Sequence, residues 1–557
     1  MTRLFLALLV PAFIAGCATS TTPLMGGDAR TACAAFTGVR IAPALIRIPS
    51  GAATVDSAEL MQPAPLTVAE RGPTPAATIT PANPLYCKVR GHIAPLDPAA
   101  PPIQFQLNLP AQWNGRAVQY GGGGFNGVLV TGLGLVPGAP FAAPSPLAKG
   151  YVTYGTDSGH QNKPGEPPQA FALNDEALLN FAHASYKKVR DTAVALIHRA
   201  YGIGPRYVYY VGSSEGGREG LTMAQRYPND FDGVFSRVPV IAWTGLQHAG
   251  LRDGLATMGP GWIRPEQTAE VQRAVLAACD ALDGTPDGIV SDPVACRARF
   301  DIASLRCTAG APPTCLSDAQ VAAVQTLQSP LLLDVQLANG QSDYPGRGPG
   351  GEALPSYAST GGWGAWWLGQ GPPTLPPKPG QGNAWVYGAG AIQYFYARDA
   401  KFDVRNWRPA AHAARVREVS ELMDSTNPDL GVFQKRGGKL LMLEHMADYA
   451  QSPYAGIAYF NAVQQTLGAE RTESFARLYT APGVDHVGTG APANIDMLDV
   501  LVDWVEHSRP PVGLTISEQD AKPPFAVQRS RPLCTWPLVP RFQGGSDRQA
   551  GNFLCQP

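Results

Sequence analysis

Apolar and polar positions alternate along Cys87-Lys-Val-Arg-Gly-His92 and along Ile103-Gln-Phe-Gln-Leu-Asn-Leu109, the two-residue period of half-buried strands. Ala117-Val-Gln-Tyr120, Tyr151-Val-Thr-Tyr154 and the β-branched, aromatic run Tyr207-Val-Tyr-Tyr-Val211 predict three more. A helix is predicted over Asn174–Tyr201, between the last two. Strands alternating with helices imply an α/β fold with a parallel sheet. After about Pro239 the rhythm breaks into helical pieces, aromatic clusters and the Pro/Gly-rich tract Gly371–Gly382. It resumes at Gly438-Lys-Leu-Leu-Met-Leu443. A helix near Tyr454–Gln465, a strand near Ser474–Tyr479 and a helix near Ile495–Glu506 follow. The chain therefore divides into a leader (1–17), a sheet domain in two parts (18–240 and 427–557) and an inserted lid (241–426). Residues 18–80, rich in Ala, Pro and Thr, predict a tether and irregular edge structure.

The chemistry concentrates where one predicted strand stops. Tyr207–Val211 runs into Gly212-Ser213-Ser214-Glu215-Gly216, and helix-compatible sequence follows to Gln225. Strand, sharp turn and helix give the G-x-S-x-G pattern its meaning: a serine on a strained elbow with its hydroxyl exposed. Glycines two places to either side suit Ser214. Ser213 would be flanked by Val211 and Glu215, so Ser214 is the nucleophile candidate.

Such an elbow belongs to the α/β-hydrolase fold, whose partners follow in the order acid, then histidine. The strand Leu440–Leu443 leads to Glu444-His445-Met446-Ala447-Asp448, and the next leads to Pro482-Gly483-Val484-Asp485-His486. Both loops lie beyond the C-terminal ends of strands, where open α/β sheets place their sites. Asp448 and His486 are assigned, with Asp485 and His445 as competitors. Oxyanion donors are expected from the amide of Glu215 and from the loop Gly121-Gly-Gly-Gly-Phe-Asn-Gly127. That loop lacks the lysine of a nucleotide-binding P-loop.

Composition narrows the setting. The 557-residue chain is 45% hydrophobic and 16% charged with net charge −1, which leaves no basic field for nucleic acid. Arg3 followed by the apolar stretch Leu4–Ile14 reads as an export signal. Its end, Ile14-Ala15-Gly16-Cys17, resembles a lipoprotein box in which Cys17 is lipidated; a plain secretory signal is the alternative. Apart from Cys17 there remain Cys33, Cys87, Cys279, Cys296, Cys307, Cys315, Cys534 and Cys555, an even set that implies disulfides. Spacing does not fix the pairing, and sequence-adjacent pairing is the simplest arrangement. Within the insertion, Asp280, Asp283 and Asp287 crowd a glycine-bearing loop. Hard oxygen ligands so placed suit Ca²⁺, although the spacing is not that of an EF-hand and an Asx-rich turn is the alternative.

Together these residues resemble the tannase/feruloyl esterase family, including its branch that hydrolyses mono(2-hydroxyethyl) terephthalate. The resemblance is carried by Gly212–Gly220, Ala224–Gly233, Thr156-Asp-Ser-Gly-His160, Gly438–Asp448 and Pro482–His486. It implies a triad of Ser214, Asp448 and His486, with the amides of Gly124 and Glu215 as oxyanion donors. It also implies a lid Ca²⁺ site of Asp280, Asp283 and Asp287 side chains with the Thr285 and Ile289 carbonyls. The sequence-adjacent disulfide pairing matches the family's peripheral bridges. Two departures stand out. The family's cysteines before the nucleophile and after the histidine are Ser213 and Val487 here, so their bridge is absent. The acid loop reads Glu-His-Met-Ala-Asp where a His-Gly-x-x-Asp form is common.

The expected protein is an exported serine esterase, periplasmic, lipid-anchored or secreted. It would cleave small esters of hydroxycinnamic, gallic or terephthalic-type acids through an acyl-enzyme. Membrane contact is expected only through the N-terminal lipid. Among the insertion's aromatics, Trp363, Trp366, Trp367, Trp385 and Tyr387 are candidates to clamp a planar acyl group, core packing being the expectation for most. The alternatives are a serine peptidase on the same fold and a non-catalytic surface lipoprotein.

Overall fold

A computed structural model describes residues 21–24, 28–70, 77–354 and 362–557; the leader and Cys17 lie outside the described residues. Eleven strands form the central sheet: β1 (Arg40–Ile41), β2 (Ala53–Met61), β3 (Tyr86–Ile93), β4 (Ile103–Pro110), β5 (Arg116–Tyr120), β6 (Val152–Thr156), β7 (Tyr207–Ser213), β8 (Gly233–Arg237), β9 (Lys439–His445), β10 (Ala476–Ala481) and β11 (Cys534–Thr535). Their order across the sheet is β11-β10-β9-β8-β7-β5-β6-β4-β3-β2-β1. The six strands from β10 to β6 are mutually parallel, and the outer strands join antiparallel. The uninterrupted apolar runs of β7 and β9 follow from this placement, since central parallel strands are covered on both faces.

The helices fall where the apolar periodicity puts them. The stretch from Asp175 to Tyr201 is helical throughout, with a π-turn at Asn180–Ala184 before α1 (Ser185–Tyr201). Gly202 at φ +76° ends α1, because a left-handed terminating residue costs glycine nothing. Helix α2 (Glu215–Arg226) follows the elbow. The N-terminal segment differs from expectation. Far from being irregular, Ala53–Met61 pairs along its length with β3, and Cys33 is bridged to Cys87 on that strand. Apart from buried Ala53 and Val55, the side chains of this strand are exposed or half-exposed, which leaves little contrast between faces, so the sequence reads as linker.

Between the neighbouring strands β8 and β9 lies the insertion. It contains α3 (Trp243–Ala256), α4 (Pro265–Cys279), α5 (Asp318–Gln328), α6 (Asn383–Ala391) and α7 (Ala413–Met423). Helices α3 and α6 touch backbone to backbone: a Cβ on Gly250 would stand 2.4 Å from the Ala384 carbonyl oxygen. Both helices, with α7, share one apolar core with α2 and the sheet, whereas α4, α5 and Trp363–Leu368 enclose a core of their own. The insertion is thus rooted in the sheet domain at both ends.

The disulfides are Cys33–Cys87, Cys279–Cys296, Cys307–Cys315 and Cys534–Cys555, the sequence-adjacent pairing. Four bridges fit folding in an oxidising compartment. By the loop-entropy relation, the Cys279–Cys296 staple, spanning 17 residues, stabilises its segment by about 3 kcal/mol. Among the described residues no helix is long and apolar enough to cross a membrane.

Candidate active site

Parallel register brings the loops after β7, β8, β9 and β10 to one edge of the sheet. Ser213 is opposite Arg237, Arg237 is opposite Leu443, and His445 is opposite Ala481. Ser214 caps α2 with φ +61° and ψ −123°. That conformation costs a non-glycine residue about 1–3 kcal/mol, and its surroundings hold it there. The Ser214 N–H donates to the Arg237 carbonyl (3.0 Å), and its own carbonyl accepts from Arg218 N–H (3.1 Å). The elbow's glycines are obligatory. A Cβ on Gly212 would lie 2.1 Å from the Gly216 oxygen, and one on Gly216 would lie 2.7 Å from the Gly122 oxygen. Ser214 itself is half-buried, at the surface of this edge.

Asp448 and His486 meet. The Nδ1–H of His486 donates to Oδ2 of Asp448 at 2.6 Å, and the Asp448 side chain is fully buried. This contact assigns the proton to Nδ1 and leaves Nε2 as the ring's acceptor. The carboxylate is held by further donors: Ala450 N–H (2.8 Å) and Gln451 N–H (3.1 Å) on Oδ1, and Gln451 Nε2 (3.2 Å) on Oδ2. The same Gln451 amide reaches Glu444 (2.9 Å), whose buried carboxyl is pushed well above its usual pKa by burial and by the Asp448 charge.

The two competitors have other partners. Asp485 Oδ1 accepts the N–H groups of Val487, Gly488 and Thr489 at 3.1, 2.9 and 2.8 Å, which makes it the brace of its own loop. His445 donates from Nδ1 to the Asp485 carbonyl at 2.6 Å and is fully buried. Burial, aided by the Arg237 charge, holds its pKa well below the usual imidazole value. The unfolded chain, with an ordinary histidine near pKa 6.5, binds a proton that the folded chain refuses. The stability so contributed is present above about pH 6.5 and is lost as pH falls below it. His445→Gln should therefore reduce proton uptake on unfolding by about one in that range, measured from the pH dependence of denaturant stability.

The glycine loop after β5 packs directly on the elbow. Gly216 N–H donates to the Gly122 carbonyl (3.1 Å), and Gly124 sits at φ +58°. Neither Gly124 N–H nor Glu215 N–H has a hydrogen-bond acceptor among the described residues. The Glu215 side chain turns inward to Arg218 (Nε to Oε1 2.7 Å), so only its backbone belongs to the edge. From the insertion, Trp366 packs edge-on against the His486 ring (centroids 5.3 Å apart). Tyr387 packs edge-on against Phe125 of the glycine loop, and its hydroxyl is 3.4 Å from where a Gly124 Cβ would be. Trp363, Trp367 and Trp385 are core residues.

At the expected cysteine pair, Ser213 Oγ accepts from Arg237 Nη1 at 2.9 Å, while Val487 is 40% exposed. The Arg237 guanidinium also reaches the histidine loop: a Cβ on Gly488 would lie 2.7 Å from Nη2. Nothing in the local sequence marks Arg237 for this position, because the contact joins three strand ends.

The acidic loop lies in the insertion after α4. Asp280 accepts the N–H groups of Asp287 (3.2 Å) and Gly288 (3.0 Å); Asp283 accepts from Thr285 (3.1 Å), which leaves its Oδ2 buried without a hydrogen-bond partner. Asp287 accepts from Ile289 N–H (3.0 Å) and pairs with Arg531. Burial first, and then the Asp287 charge, raise the pKa of Asp280 against backbone hydrogen bonds that lower it, and burial raises Asp283 too. Among the described residues, no three His, Cys, Asp or Glu side chains surround one point as a metal shell. The oxygen-only donors, the orphaned Asp283 oxygen and the single neutralising arginine fit a hard divalent cation in chemistry.

The profile of the family described as tannase and feruloyl esterase matches residues 87–556. An uncharacterised esterase of Agrobacterium fabrum is 36% identical over 547 residues, covering 94% of this chain and 92% of its own. The mono(2-hydroxyethyl) terephthalate hydrolase of Piscinibacter sakaiensis is 31% identical over 554 residues, covering 89% and 90%. The crystal structure of feruloyl esterase B from Aspergillus oryzae superposes with a TM-score of 0.73 at 24% identity, covering 90% of this chain and 97% of that one.

Proposed function

The chain belongs to the tannase and feruloyl esterase family and is a carboxylic ester hydrolase, and from that premise we propose that it cleaves esters of planar aromatic acids through a Ser214 acyl-enzyme. The observation that carries the mechanism is the 2.6 Å contact of His486 with Asp448 on the sheet edge that also bears the Ser214 elbow. Nε2 of His486 takes the Ser214 proton as Oγ attacks the ester carbonyl. Asp448 holds the ring in the tautomer this requires and offsets the charge of the imidazolium. The oxyanion accepts hydrogen bonds from the amides of Glu215 and Gly124, a pair of interactions absent from the planar ground state. Collapse breaks the bond to the alcohol oxygen, which leaves with the proton from His486. Water, deprotonated by the same nitrogen, then releases the acid.

The aromatic acyl group is inferred from Trp366 beside His486 and Tyr387 beside the glycine loop, which offer ring faces and edges at the reacting carbonyl. The names of two relatives point the same way, one a feruloyl esterase and one a terephthalate monoester hydrolase. A panel of methyl ferulate, methyl gallate, chlorogenate, mono(2-hydroxyethyl) terephthalate and methyl butyrate tests it. At least one aromatic ester should exceed methyl butyrate in kcat/KM by tenfold or more. A preference for the aliphatic ester refutes the aromatic reading.

Calcium belongs to the same proposal as a structural ion. Asp280, Asp283 and Asp287, with the carbonyls of Thr285 and Ile289, would hold it, and the ion would supply a counter-charge to Asp280 and Asp283 beside the Arg531 that pairs with Asp287. An ion bound only by the folded state at a hundred times its Kd adds about 2.7 kcal/mol. Chelation should lower Tm by several degrees, and Asp283→Asn should remove that sensitivity. A Tm indifferent to chelator and to added Ca²⁺ eliminates the site. We further propose that the chain is exported and anchored through a lipid on Cys17; Cys17→Ser should release it from membranes into the soluble fraction.

A further inference from the structure

We propose that Glu219 is a positioning residue that fixes the oxyanion loop to the nucleophile's own helix. The inference rests on the Ser214 esterase reading and adds a role to a residue outside the triad and the oxyanion donors.

Glu219 lies on α2, four residues after Glu215, and its side chain is completely buried. Three donors converge on its carboxylate. Asn126 Nδ2 reaches Oε1 at 2.6 Å, while Gly122 N–H (3.0 Å) and Tyr210 O–H (2.6 Å) reach Oε2. Two of the three come from the glycine loop and flank Gly124, one on each side. The loop needs such an anchor. Gly124, Asn126 and Gly127 all have positive φ (+58°, +47° and +72°), and glycine-rich backbone loses the most conformational freedom on ordering. Left to itself, this stretch would sample many conformations, few of which aim the Gly124 amide at the Ser214 carbonyl site.

The anchor also fixes a distance. Helix α2 begins at the nucleophile, presents the Glu215 amide in its first turn and the Glu219 carboxylate one turn later. Gly122 is held twice by this helix, through its N–H by Glu219 and through its carbonyl by the Gly216 N–H at 3.1 Å. No side chain fits between: a Cβ on Gly121 would stand 2.6 Å from the Gly216 Cα and 2.9 Å from Glu219 Oε2. The two proposed oxyanion donors are therefore referred to one rigid helix. Misplacement of a donor affects the tetrahedral state, where the oxyanion sits, more than the ground state.

The neutral amide of Glu219→Gln sets its NH₂ against a donor, Asn126 on one side or Gly122 and Tyr210 on the other. Asn126→Ala removes the loop's side-chain hold while leaving the carboxylate. Tyr210→Phe removes the donor that does not belong to the loop. All three are to be compared in the full-length protein by kcat, KM, Tm and the inhibition constants of a boronic acid, which forms a tetrahedral adduct, and of the product acid, which does not. Glu219→Gln and Asn126→Ala should each lower kcat about 10- to 100-fold, below the effect of deleting an oxyanion donor outright. KM and product-acid affinity should stay within about threefold, while boronic-acid affinity falls in step with kcat. Tyr210→Phe should lower Tm and leave kcat within about threefold. If Glu219→Gln does not fold, Asn126→Ala decides alone. The proposal is overturned if Asn126→Ala keeps both kcat and boronic-acid affinity, or if Tyr210→Phe loses as much of each as Asn126→Ala does. Ser214→Ala assayed alongside separates the two levels: activity surviving there defeats the esterase mechanism itself, whereas its loss with an unaffected Asn126→Ala defeats only the role of Glu219.

Discussion

Ser214→Ala should lower kcat by about 10⁵–10⁶-fold, leaving only the catalysis that binding and the oxyanion donors give to water attack. The fold should survive. The hydroxyl makes no hydrogen bond to the protein among the described residues, and the elbow is held through the Ser214 backbone to Arg237 and Arg218. Ser213→Ala is the informative comparison. It removes a hydroxyl that accepts from Arg237 at 2.9 Å, and a hydrogen bond to a charged group is worth about 1.5–3 kcal/mol. That loss should appear chiefly in Tm, with kcat within about tenfold of the parent. A fluorophosphonate probe should label Ser213→Ala and not Ser214→Ala. Failure of a folded Ser213→Ala protein to accept the label overturns the assignment of the nucleophile.

The elbow was legible because its geometry admits few residues. Gly212 and Gly216 face backbone atoms less than 3 Å from where a Cβ would be, so the spacing around Ser214 is a steric statement written into the sequence. The assignment of Asp448 and His486 rests on strand-end positions in the order acid, then histidine, with Asp485 set aside because it lies too close to His486 in sequence to be the obvious orienter. The structure supplies the reason: Asp485 braces its own loop, and His445 ties that loop to β9. What stayed hidden depends on contacts between distant segments. Glu219 reads as one more polar residue on an amphipathic helix, yet it meets Gly122 and Asn126, more than ninety residues earlier. Arg237 is a strand-end residue until the sheet sets it beside Ser213 and Gly488. The strand Ala53–Met61 is hard to read because only Ala53 and Val55 are buried and the rest of its residues are exposed or half-exposed, which gives the alternation little contrast. Of the five insertion aromatics, three fill cores and two border the site: Trp363 and Trp367 pack with α4 and α5 and Trp385 packs with α3, whereas Trp366 meets His486 and Tyr387 meets Phe125.

Asp448→Asn should cost about 10⁴-fold in kcat with little change in KM. The two carboxylate oxygens are each approached only by donors: backbone N–H groups of Ala450 and Gln451 on Oδ1, His486 Nδ1–H and Gln451 Nε2 on Oδ2. An amide replaces one oxygen by NH₂ and must place it against one of these pairs. Turned toward His486, it donates to Nδ1 and forces the other tautomer, with a hydrogen on Nε2 where the serine proton has to go. Turned the other way, it opposes two backbone donors and frees the loop that carries it. In both orientations the imidazolium loses the buried negative charge that stabilises it in the transition state. Asp485→Asn serves as the contrast. Its carboxylate accepts three N–H groups of its own loop and none from the His486 ring, so the expected loss is in Tm first, with a smaller fall in kcat. A folded Asp448→Asn protein within tenfold of the parent, or an Asp485→Asn protein that loses more activity than Asp448→Asn, would transfer the orienting role to Asp485.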